Sequence, residues 1–151
     1  MKIAVGNDHA AVQLKQVLLE HLHELGVEAD NLGVDTEDSV DYPDCAERVA
    51  RAVAAGDADL GLLICGTGIG MSMSANKVPG VRAALCCVEY HARMARAHNH
   101  ANVCCIGARV TGEELARAIV TEFVRTPASD DERHLRRVRK IDALDAAWER
   151  P

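Results

Sequence analysis

At 151 residues, 48% of them hydrophobic, with a net charge of −6, the chain can bury a core as one domain over 1–151, which excludes a disordered protein and argues against a general nucleic-acid binder. Aromatics make up only 3%, so the core must be Val, Leu, Ile and Ala, a composition suited to helices packed on a parallel sheet. No apolar run reaches membrane-spanning length, and Met1 leads straight into Lys-Ile-Ala-Val-Gly with no signal peptide, so a cytoplasmic protein without membrane contact is expected.

Lys2 to Gly6 reads as a short strand with Asn7-Asp8-His9 at its carboxyl end. Leu14, Val17, Leu18, Leu22 and Leu25 then recur at helical spacing, and Gly26 stops that helix. Val27 to Leu32 is a weaker strand and Gly33 to Asp41 a polar loop. Tyr42-Pro43-Asp44 opens a second helix, with Ala46, Val49, Ala50 and Val53 on one face and Gly56 at its end. Leu60 to Ile64 is a third strand, followed by the glycine-rich run Cys65 to Ser72 and a short helix. After the Val78-Pro79-Gly80 turn, Val81 to Cys86 is a fourth strand, Glu89 to Ala97 a helix and Asn102 to Ile106 a fifth strand. Thr111 to Val124 is helical until Pro127 breaks it, and Ser129-Asp130-Asp131-Glu132 reads as a capping box for a last helix reaching about Trp148. Strands alternating with helices predict an α/β fold, a Rossmann-like three-layer α/β/α sandwich with a five-stranded, mainly parallel sheet and a C-terminal helix.

The chemistry concentrates where an apolar strand stops at a cysteine and three glycines alternate behind it: Cys65-Gly66-Thr67-Gly68-Ile69-Gly70-Met71-Ser72. Glycines there let backbone N–H groups converge, and a helix start adds partial positive charge, which makes a cup for an anion with a thiol on its rim. The run fails both the dinucleotide fingerprint and the P-loop pattern, so on the loop alone a structural turn and an anion site both stay open. The remaining cysteines, Cys45, Cys86, Cys87, Cys104 and Cys105, read as small reduced core residues, with no Cys-x-x-Cys spacing for a metal. Adjacent thiols in apolar strands also make a poor redox centre.

In such a sheet, ligands sit beyond the carboxyl ends of the strands. Asp8 and His9 follow strand one, Cys65 ends strand three and Arg109 follows strand five, so they can converge on one edge. His98 and Asn99 precede strand five and fall at the opposite edge. If they act at Cys65, they come from a second copy of the chain, so a site shared between subunits of a homodimer or tetramer is expected.

With Gly6-x-Asp8-His9, Asp41-Tyr42-Pro43-Asp44, the Cys65–Ser72 octet, Ala75-Asn76-Lys77, His98-Asn99, Asn102-Val103, Gly107-x-Arg109-Val110 and Arg133-His134-x-x-Arg137-Val138 in order over nearly its whole length, the chain resembles the RpiB/LacAB sugar-phosphate isomerase family. That resemblance implies an aldose–ketose isomerisation of ribose 5-phosphate and ribulose 5-phosphate through a cis-enediolate, with no metal and no cofactor. It makes Cys65 the base, which suits a thiolate beside a helix N-terminus. Thr67 and the backbone of Gly66, Gly68, Ile69, Gly70, Met71 and Ser72 hold the enediolate oxygens, as an oxyanion hole does. His98 assists ring opening, Asp8 shares that proton traffic, Asn99 bonds sugar oxygens and Tyr42 lines the pocket. His9, Arg109, Arg133 and Arg137 hold the phosphate.

Plainer roles stand beside these. Asp8 can cap the first helix, and the arginines at 133–140 can be a solvated helix face. The chain departs from the usual family pattern at Ala11, Met73-Ser74 and His100, without losing a catalytic group. The alternatives are an isomerase of allose 6-phosphate, galactose 6-phosphate or a tetrose phosphate, and a non-catalytic phosphometabolite-binding module.

Overall fold

The computed structural model describes residues 1–147. Five strands form one sheet: β1 (Lys2–Asn7), β2 (Glu28–Asn31), β3 (Leu60–Cys65), β4 (Ala83–Leu85) and β5 (Val103–Gly107). The helices are α1 (Val12–Glu24), α2 (Tyr42–Ala55), α3 (Ile69–Ala75), α4 (Glu89–Asn99), α5 (Glu113–Arg125) and α6 (Glu132–Ala147), with a single 3-10 turn at His9–Ala11 before α1. Every pairing is parallel and the order is β2-β1-β3-β5-β4.

Side-chain alternation along β3 builds both layers of core. Leu60, Leu62 and Ile64 face one side, where Leu14, Leu18 and Leu22 of α1, Ala92 and Ala95 of α4 and Ile119 and Phe123 of α5 cover them. Leu63 and Cys65 face the other, against Ala46, Val49, Ala50 and Val53 of α2 and Met71 and Ala75 of α3. Each fully buried Leu or Ile contributes on the order of 1.5–3 kcal/mol. α6 packs on α4 at the sheet's outer margin, through the buried His134 and Val138.

Chain order reverses between β1 and β3: β2 lies to one side of β1 and the remaining strands lie to the other. The registered pair Asn7 and Ile64 therefore opens a crevice at the carboxyl edge, with Asp8 on one lip and Cys65 on the other. Its floor is fastened by the Asp8 N–H donating to the Ile64 carbonyl at 3.2 Å. Such a switch point is where parallel sheets admit ligands.

Two expectations shift. β4 is the short piece Ala83–Leu85 rather than 81–86. It is an edge strand with one neighbour, and the Arg82 N–H is bonded to the Asn102 side chain at 2.7 Å instead of to a strand. The start of α6 is not a closed capping box. Ser129 Oγ accepts from Asp131 N–H at 3.1 Å, and Asp131 Oδ1 caps the helix by accepting from Arg133 N–H at 2.8 Å. The expected end of that helix at Trp148 lies outside the described residues.

Candidate active site

Cys65 is the last residue of β3 and is 4% exposed. The chain turns sharply through Gly68, whose φ of +75° is a left-handed conformation that glycine adopts without strain. That turn aims the Gly68 N–H at Cys65 Sγ, 3.1 Å away. Thr67 Oγ1 accepts from the Ile69 N–H at 3.4 Å, which holds the threonine over the start of α3. Gly70 lies under the Tyr42 ring: a Cβ there would stand 2.6 Å from Tyr42 Cε2, so glycine is what lets the phenol close over the loop.

Asp8, Tyr42, Cys65, Gly66, Thr67, Ile69, Gly70, Met73 and Arg109 together line an open cavity of about 400 Å³. The Arg109 side chain lies along Gly66, and its backbone N–H donates to the Gly66 carbonyl at 2.9 Å. Among the described residues no carboxylate reaches ion-pair distance of Arg109 or Arg137. Their charges are therefore open to an anion. Asp8 carries the plainer role too, since its Oδ1 accepts from the Ala10 N–H at 3.0 Å and caps the 3-10 turn.

Not every expected residue is at this cavity. His9 lines an adjoining space of about 400 Å³ with Gln13, Glu37 and Thr111. Sequence neighbours line the two spaces, His9 and Ala108 in one and Asp8 and Arg109 in the other. The Met71 side chain is fully buried in the core beneath α3. The Ser72 N–H is bonded to the Gly68 carbonyl at 3.1 Å inside that helix, so the free donors of the loop lie before it.

His98 and Asn99 form the last turn of α4, which packs on the opposite face of the sheet from Cys65 and ends where β5 begins. The five residues of β5 put roughly 16 Å of strand between that edge and the Cys65 edge. His98 stacks on His134, and Arg133 and Arg137 share the start of α6 beside them. His134, quoted in the sequence pattern but given no role there, is buried behind His98. His100 takes a left-handed φ of 49° and its Nε2–H donates to the Ser129 carbonyl at 2.8 Å, which ties the end of α4 to the start of α6.

A thiol held at the switch point of a parallel sheet, facing a cup rimmed by open positive charge, makes this an α/β enzyme for a small phosphorylated substrate. Residues 3–141 match the Ribose/Galactose Isomerase family, and the chain belongs to that family. It is 44% identical over 144 residues to ribose-5-phosphate isomerase B of Escherichia coli, covering 95% of this chain and 96% of that protein. It is also 44% identical over 121 residues, 80% of each chain, to D-erythrulose-4-phosphate isomerase of Pectobacterium atrosepticum. The structure of ribose-5-phosphate isomerase B from Clostridium thermocellum superposes with a TM-score of 0.95 at 44% identity, covering 99% of this chain and 100% of that one. The activity class that goes with this family is sugar-phosphate isomerisation.

Proposed function

We propose that the protein interconverts ribose 5-phosphate and ribulose 5-phosphate through a cis-enediolate, with Cys65 as the base. The observation that carries this reading is the Gly68 N–H on Cys65 Sγ at the mouth of the cavity. That contact fixes the sulfur at the cavity wall, and the thiolate is the form of a cysteine that can take a proton. In the open-chain aldose the thiolate removes the C2 proton, the C1–C2 double bond forms, and the C1 carbonyl oxygen becomes the oxyanion. Thr67 and the loop N–H groups before Ser72 stabilise that charge where it develops. Cys65 then returns the proton to C1 while the O2 proton passes to O1, which leaves the ketone at C2.

Ring opening comes first, because the pentose rests as a furanose. His98 moves a proton between the anomeric hydroxyl and the ring oxygen, with Asp8 sharing that traffic. His98 stands a strand's length from Cys65 in its own chain, so the complete site takes His98 and Asn99 from a second copy in a homodimer or tetramer. His9 and Arg109 from one copy, with Arg133 and Arg137, hold the phosphate.

Purified protein in EDTA should convert ribose 5-phosphate to ribulose 5-phosphate. Cys65→Ala should lose about 10²–10⁴-fold of that rate. A folded wild type that leaves ribose 5-phosphate unchanged rejects the reading. The relatedness to a D-erythrulose-4-phosphate isomerase supports a tetrose phosphate as the second candidate substrate. Comparing kcat/KM on the two sugar phosphates ranks them.

A further inference from the structure

Lys15 is a lysine with no exposed surface at all, set among the leucines of α1. A buried ammonium is costly unless hydrogen-bonded, and this one is directed at a single target. Its Nζ donates to the Val34 carbonyl at 2.7 Å and pairs with Asp35 Oδ1, holding that exposed carboxyl below the usual carboxylate range. Both partners belong to the irregular stretch between β2 and α2, residues 32–41. Asn7 Oδ1 adds a second fastening by accepting from the Val34 N–H at 3.1 Å.

The far end of that stretch reaches the active-site edge. The Val40 N–H donates to His9 Nδ1 at 3.2 Å. A nitrogen that accepts a hydrogen bond carries no proton, so neutral His9 holds its proton on Nε2. A phosphate oxygen needs a donor, and the Nε2–H tautomer supplies one.

We infer that Lys15 is a positioning residue for phosphate recognition: by clamping Val34 and Asp35 onto α1 it sets the 32–41 stretch so that Val40 locks His9 as an Nε2–H donor. This rests on the reading of His9 as a phosphate ligand. Lys15 touches no substrate and acts only through His9.

The test is Lys15→Met in the full-length protein, checked for fold by circular dichroism and read in three ways. Nitrogen-15 NMR of the His9 ring reports the tautomer without any substrate and should move from Nε2–H toward a mixture. The affinity for inorganic phosphate should weaken about tenfold, the scale of one hydrogen bond to a charged group. KM should rise by a similar factor while kcat stays within about twofold, a split that a general loss of packing does not produce. Should Lys15→Met fail to fold, Asp35→Asn removes only the exposed half of the clamp and should shift the same readouts in the same direction by less. A folded variant with an unchanged His9 tautomer overturns the inference. A changed tautomer with weaker phosphate binding, in a protein that turns over no sugar phosphate, upholds it while sinking the proposed reaction.

Discussion

His98 and His134 lie face to face, their ring centroids 4.1 Å apart and their planes within 6° of parallel. They come from different helices, α4 and α6, and Arg133 Nη2 stands 3.3 Å from His134 Nε2. A proton on one imidazole therefore meets the other ring and a guanidinium. Burial first, then His98 and Arg133, hold the pKa of His134 below the usual histidine value of 6.5, with Asp131 opposing and Arg137 adding to the effect.

That depression has a consequence for stability. The unfolded chain binds a proton at His134 as pH falls through about 6.5, whereas the folded chain binds it only at lower pH. Across that window the unfolded state holds more protons, so stability rises with pH and is lost as acid is added. Urea midpoints measured from about pH 8 to about pH 5 should fall less in His134→Phe, which keeps a stacking ring and removes the titration. An equal fall in both proteins removes His134 from the acid sensitivity.

Ring opening separates substrates by their chemistry. A pentose 5-phosphate closes through its 4-hydroxyl, but in a tetrose 4-phosphate that oxygen is esterified and no furanose forms. His98→Asn should therefore lower kcat/KM for ribose 5-phosphate by about 10²-fold and leave a tetrose phosphate within about threefold. Matching losses on both substrates would point to a structural role for His98.

The candidate-site edge of the sheet was legible in the sequence because its signals are local. An apolar strand ending in Cys65 beside alternating glycines marks a carboxyl-edge turn, and Asp8 and Arg109 follow by the rule for parallel sheets. The order β2-β1-β3-β5-β4 was not legible, because β1, β3 and β5 are all near-continuously buried and nothing in them names a neighbour. The strand expected over 81–86 is shorter in the fold because β4 has a partner on one side only, which propensity does not encode. The burial of Lys15 has a sequence signal, since Ala11, Leu14, Lys15, Leu18 and Leu22 share one helical face. His134 needed the α4–α6 contact, which no local pattern encodes.

Gly68 can be tested by one added methyl. Alanine at φ +75° is strained by about 1–2 kcal/mol. Its Cβ would stand 2.5 Å from Leu85 Cδ1 and 3.0 Å from the Ile106 carbonyl carbon. The leucine can swing away, but the backbone of β5 cannot, so the loop must lift and take its N–H off Cys65 Sγ. Gly68→Ala should lower Tm by about 2–8 °C and kcat by about 10–10²-fold, with slower alkylation of Cys65 by iodoacetamide. Full activity with unchanged alkylation would show that the amide on sulfur plays no part in the reaction.

The shared site gives the sharpest test of assembly. Cys65 sits at the carboxyl edge of β3 and His98 at the amino edge of β5, on opposite faces of the sheet. If each site pairs Cys65 of one copy with His98 of another, a dimer of Cys65→Ala with His98→Asn holds one site with both residues intact and one with neither. Random exchange makes half the dimers mixed, and each mixed dimer regains one of its two sites. Activity on ribose 5-phosphate should therefore recover to about a quarter of wild type from two nearly inactive proteins. Native mass spectrometry confirms that the mixed dimers form. Mixed dimers without recovered turnover would mean that each chain completes its own site, and His98 would then have to act from a conformation in which α4 and α6 have left their present seat.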